Sequence, residues 1–99
     1  MSISNRPYTL FTAAAAGTGT PAILDYRFDG TQNRMVFCIL KDTLDTISIQ
    51  VSPDETNYCQ YYLFPTGTTT GAITVSGPVR SIRAVKVGST ATCNVLMLG

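Results

Sequence analysis

The apolar residues of this chain come in strand-length runs rich in Val, Ile, Thr, Tyr and Phe, each closed off by turn-forming residues. They do not recur at the three-to-four spacing that would line one side of a helix. This pattern excludes a helical bundle and predicts antiparallel β-structure. The expected strands are Pro7–Ala14, Ala22–Phe28, Arg34–Leu40, Thr46–Val51, Tyr58–Phe64, Ala72–Ser76, Val79–Val87 and Ala91–Leu98. About eight short strands are the content of an antiparallel β-sandwich of jelly-roll type.

The turns fall where such a fold needs them. Asp29-Gly30, Ser52-Pro53-Asp54-Glu55 and Gly88-Ser89 each separate two runs with residues that close tight turns. Thr46–Val51 alternates cleanly, which puts Ile47, Ile49 and Val51 on the core side and their polar neighbours outside. Met35 to Leu40 is apolar throughout. Such a strand is either covered on both sides or turns its outer side to another subunit. Ala13 to Ala16 is too short for a stable helix and runs into Gly17 and Gly19, so no helix is expected.

At 99 residues the chain has material for one core, a single domain over residues 1–99 with Met1 to Arg6 as a flexible arm. Surface scaling gives a folded area of roughly 5,500 Å². Only 13% of residues are charged, against the usual quarter. Thr, Ser, Gly and Asn stand in for the missing charges, and such a surface loses less than Lys or Glu when a partner covers it. A net charge of +1 provides no field for nucleic acid or anionic lipid, so neither is expected as a partner. No apolar h-region follows the N-terminus and no run approaches the ~18 residues of a membrane helix, so no secretion signal and no membrane span are expected.

Chemistry is scarce. There is no histidine, hence no Ser-His-Asp or Cys-His arrangement. The six carboxylates mostly flank expected turns, where Asp caps backbone, and neither Asp42 with Asp45 nor Asp54 with Glu55 follows a calcium-loop pattern. Gly17-Thr18-Gly19 lacks the third glycine and the helix of a dinucleotide fingerprint. Cys38, Cys59 and Cys93 lie far apart in apolar runs, which predicts buried free thiols rather than a disulfide framework or a metal site. These observations predict no enzyme, no cofactor and no metal. Arg80 and Lys86 fall on one side of the expected strand and Arg83 on the other, so no single basic stripe forms. Tyr58, Tyr62 and Phe64 share one parity, predicted inward, with Tyr61 left outside for a partner or a stacked sugar.

The stretch from Ser76-Gly77-Pro78 through Val79-Arg80-Ser81-Ile82-Arg83-Ala84-Val85-Lys86-Val87 to Gly88-Ser89 resembles the ending of small bacteriophage structural proteins. The likeness extends back over the alternating and aromatic strands, roughly Asp45 to Leu98. Members often carry a Trp in the aromatic strand, and this chain has none. The resemblance implies a virion component: a head-decoration or cement protein on the capsid surface, bound to the major capsid protein and assembled as a trimer or dimer. A tail, neck or fibre module, with receptor or carbohydrate contact, is the alternative. The expected contact residues are Arg6, Tyr8, Thr18, Thr20, Tyr61, Thr68, Thr69, Arg80 and Arg83, drawn from the N-terminal segment, the Thr/Gly loops, the aromatic strand and the spaced arginines.

Overall fold

Nested strand pairing about one central turn organises the molecule. The structure, a computed structural model, describes residues 8–13, 15–23, 34–39, 41, 43–76, 79–88 and 92–98. Among these are nine strands and no helix: β1 (Tyr8–Ala13), β2 (Gly17–Thr18), β3 (Ala22–Ile23), β4 (Arg34–Ile39), β5 (Thr46–Ser52), β6 (Cys59–Phe64), β7 (Gly71–Val75), β8 (Ser81–Val87) and β9 (Cys93–Leu98). The innermost pair is the β5–β6 hairpin; outside it β4 pairs β7, β2 and β3 pair β8, and β1 pairs β9, all antiparallel. Rolling this long double strand adds the β4–β9 and β5–β8 ladders. The result is one sheet ordered β1-β9-β4-β7 and a second ordered β2-β8-β5-β6, with β3 also on β8. Counting β2 and β3 as one interrupted edge strand gives the eight-strand jelly roll.

The hairpin tip is set by local chemistry. The Asp54 carboxylate accepts from the backbone N–H groups of Thr56 and Asn57 at 2.9 and 2.8 Å, and from the Ser52 hydroxyl at 3.0 Å. These donors hold its carboxyl far below the usual carboxylate range, the backbone bonds contributing most. Glu55 takes the left-handed conformation, φ 66°, that completes the turn, and its carboxylate pairs with Arg80 at 2.6 Å.

The sheets close on one core. Leu10, Val36, Cys38, Val75, Cys93, Val95 and Met97 come from the first sheet, and Ile47, Ile49, Phe64, Ile82 and Ala84 from the second. A thickness of 18 Å suits two sheets about 10 Å apart with thin outer surfaces. The exposed area, 5450 Å², agrees with the scaling value.

Several expectations need correction. Val51 packs against the core as expected but is only half-buried, and Ser48 on the outer side is covered all the same. Of the aromatic strand only Phe64 is buried; Tyr62 is 41% exposed and meets Phe64 edge-on, and Tyr58 lies half-buried. For Tyr62, which pairs with buried Ile49 on the inward side, the cause is the open edge of β6; for Tyr58 it is a β-bulge. Ile49 pairs with Tyr62 but Gln50 with Gln60, so Tyr61 is the extra residue and parity inverts across it. Cys59 is exposed, on the edge strand β6. Gly17 to Pro21 is no loose loop, because Gly17 and Thr18 pair with Lys86 and Val85 and the Gly19 N–H donates to the Ala84 carbonyl at 2.9 Å. The expected continuation of the second strand to Phe28 and the Asp29-Gly30 turn lie outside the described residues, as do Arg6 and the rest of the N-terminal arm.

Candidate interaction face

Alternation along β4 and β9 builds the feature that stands out. In β4, Val36 and Cys38 point into the core, which leaves Met35, Phe37 and Ile39 on the outer side. In β9, Cys93, Val95 and Met97 point in, and Asn94, Leu96 and Leu98 out. These strands are neighbours at the centre of their sheet, in a register that sets Met35 beside Leu98, Phe37 beside Leu96 and Ile39 beside Asn94. Phe37, Ile39, Leu96 and Leu98 line a depression of about 220 Å³, walled by apolar side chains alone. Met35 is 41% exposed beside it.

The flanks carry no charge either. On β7, Ala72 and Thr74 stand opposite Phe37 and Met35; on β1, Thr9 and Thr12 stand opposite Leu96 and Asn94. The Thr12 hydroxyl donates to the Asn94 side-chain carbonyl at 2.7 Å. Covering this face therefore removes carbon from water without desolvating a charge.

The outer side of the other sheet is built differently. Arg83 stacks 3.8 Å above the Tyr58 ring and donates from Nε to Gln50 at 2.7 Å. Ser48 donates to Gln60 at 2.9 Å, and the Tyr58 and Ser81 hydroxyls share a 2.7 Å bond. Here the polar groups satisfy one another, with Leu63, Val85 and Val87 at one end. A sugar ring would have to displace a guanidinium to reach the Tyr58 face.

The residues expected to make contacts do not gather at one place. Tyr8 donates its hydroxyl to the Pro21 carbonyl at 3.0 Å, tying β1 to the opposite sheet. Tyr61 forms the counterpart at the other open side, donating to the Thr74 carbonyl at 3.2 Å and accepting from the Ser76 N–H at 3.4 Å. It thereby occupies backbone groups at the edge strand β7, so Tyr61 is a latch even though it is 43% exposed. Tyr61→Phe is expected to cost about 1 kcal/mol in a urea titration; an unchanged midpoint would show the latch to be idle. Thr18 and Thr20 are exposed beside β1. Thr68 and Thr69 are exposed in a loop pinned to the β4–β5 connection, where the Thr69 carbonyl accepts from the Lys41 N–H and the Thr43 carbonyl from the Gly67 N–H. Arg80 is spent on Glu55, and Arg6 lies outside the described residues.

The structure also reveals buried polar side chains with no counterpart among the expected contacts. Lys86 points between the sheets with its ammonium 3.3 Å from the Asp45 carboxylate and 3.3 Å from the Ala13 carbonyl. Lys41 reaches the Asp45 backbone carbonyl at 2.7 Å. All three side chains are buried. Burial pushes the Cys38 thiol up to about 11, with nearby Cys93 adding to the shift and Lys41 opposing it; burial raises the Cys93 thiol too. At pH 8, thiol reagents are expected to modify Cys59 at once and Cys38 and Cys93 only on unfolding. Three fast-reacting thiols in the native protein would contradict this. Among the described residues no three of the Cys, Asp and Glu side chains assemble into a metal cage. No protein-family model, curated protein or solved structure matches the chain.

Proposed function

We propose that this protein is a non-enzymatic building block of a larger assembly, and that it docks through the outer face of the β1-β9-β4-β7 sheet. The observation that carries the reading is the uncharged apolar surface at the centre of that sheet, Met35, Phe37, Ile39, Leu96 and Leu98, set against a self-satisfied polar ladder on most of the opposite side. Single exposed apolar residues need no explanation, but a contiguous patch on two central strands does.

The specific form we favour is a virion decoration or cement protein. The resemblance over Asp45 to Leu98 supports it, and so does the architecture, since jelly rolls include virus coat subunits. The same fold class also holds lectins and cupins, so the site and not the fold carries the argument. Quantitative mass spectrometry of purified virus particles tests this form. A copy number on the order of hundreds per particle is expected for a subunit repeated by capsid symmetry. A handful of copies would move the assignment to the tail, neck or fibre, and absence from particles would overturn it.

A further inference from the structure

We propose that two copies of this chain associate face to face through the outer surfaces of their β1-β9-β4-β7 sheets, about a two-fold axis running between β4 and β9. This rests on the docking surface assigned above and names its first occupant.

The register of the two central strands points to a second copy. Phe37 lies beside Leu96 and Met35 beside Leu98, so the rows are apolar on both sides of the line separating β4 from β9. Rotation by half a turn about that line lays β4 of one copy over β9 of the other. Phe37 then meets Leu96 of the partner subunit, and Met35 meets Leu98 of the partner subunit, each contact occurring twice as an isologous interface requires. Only the third row departs, where Ile39 meets Asn94 of the partner subunit, and that amide already accepts from Thr12. No residue on the face brings like charges together, and a net charge of +1 per chain leaves little long-range repulsion. A partner with a charged docking surface would have to desolvate it against Phe37 and Leu96 without compensation.

Area sets the class of interface. Four strands ~4.8 Å apart, with about six residues each at ~3.3 Å, present a flat face of about 400 Å². A standard stable interface buries about 800 Å² on each partner. The sheet alone thus falls in the weak class, and dissociation is expected on the order of micromolar concentrations or above. Association of this kind is reversible on dilution.

Sedimentation equilibrium from about 2 to 500 µM spans that range. The full chain is expected to pass from monomer to dimer. Phe37→Asp and Leu96→Lys should each weaken dimerisation at least tenfold. Their equimolar mixture should restore a heterodimer, because the carboxylate introduced on one chain then faces the ammonium introduced on the other, while the second Phe37–Leu96 contact is kept. Met35→Lys supplies a variant at an exposed position that the core does not depend on, and it should also weaken the dimer. A wild-type monomer throughout, a trimer, variants that associate like wild type, or a mixture that stays monomeric would each overturn the proposal. Its failure is separable from that of the assembly reading. A solution monomer present at high copy in particles refutes the second copy alone, whereas a solution dimer absent from particles refutes the virion assignment alone.

Discussion

Asp45→Ala is expected to destabilise the protein by about 3–5 kcal/mol, the usual cost of removing one partner from a buried ion pair. The side chains of Lys86 and Asp45 are both fully buried, with ammonium and carboxylate 3.3 Å apart, and the Lys41 ammonium lies on the Asp45 backbone carbonyl. Without the carboxylate, the Lys86 charge stays between the sheets and has lost the anion that faces it at 3.3 Å. For a domain of this size total stability is about 5–15 kcal/mol, so the variant should sit near the edge of folding. The double variant Lys86→Met with Asp45→Asn removes both charges together and should recover most of the loss. Urea titrations of the three proteins check this. Equal midpoints for Asp45→Ala and wild type would mean that the buried pair adds nothing to stability.

Gly19→Ala should be comparably damaging, for a steric reason. A Cβ on Gly19 would fall on the carbonyl group of Leu10, backbone that cannot swing aside. The Gly19 N–H is at the same time bound to the Ala84 carbonyl, so the segment cannot retreat without releasing β8. A loss of at least about 3 kcal/mol is expected, at the upper end for overpacking because no side chain can yield. The exposed neighbour Thr18→Ala serves as the control and should leave the midpoint within about 0.5 kcal/mol of wild type. A Gly19→Ala protein as stable as that control would contradict the close approach of β1 to the edge of the second sheet.

Strand identity was readable from sequence wherever period and punctuation agreed. Thr46 to Ser52 and the turn at Asp54 are found as expected, because alternation and turn chemistry are local properties. The outward turn of Tyr58 was not readable, since the bulge at Tyr61 breaks the parity and no residue type marks a bulge, and the exposure of Tyr62 follows from the place of β6 at the sheet edge. The burial of Lys86 was not readable, because Asp45 is far away in sequence and comes within reach only through the β5–β8 ladder. The apolar face had half a signal. The unbroken run from Met35 to Leu40 announced a strand with two apolar sides, and Val95 to Leu98 did the same. That the two are neighbours follows from the rolled topology, which no local pattern encodes. Hydroxyl-rich loops and lone aromatics stand out locally, whereas the surface that two ordinary strands make together does not.

The most direct test of that surface uses the two methionines on either side of the same sheet. Met35 faces outward at 41% exposed, and Met97 inward at 5%. In the dilute purified chain, mild peroxide should convert Met35 to the sulfoxide well before Met97, as exposure dictates. In the native assembly, with the outer face covered, Met35 should be protected at least tenfold while Cys59, on the distant edge strand β6, stays open to alkylation. Met35 oxidised as fast in the assembly as in the free chain would contradict the account.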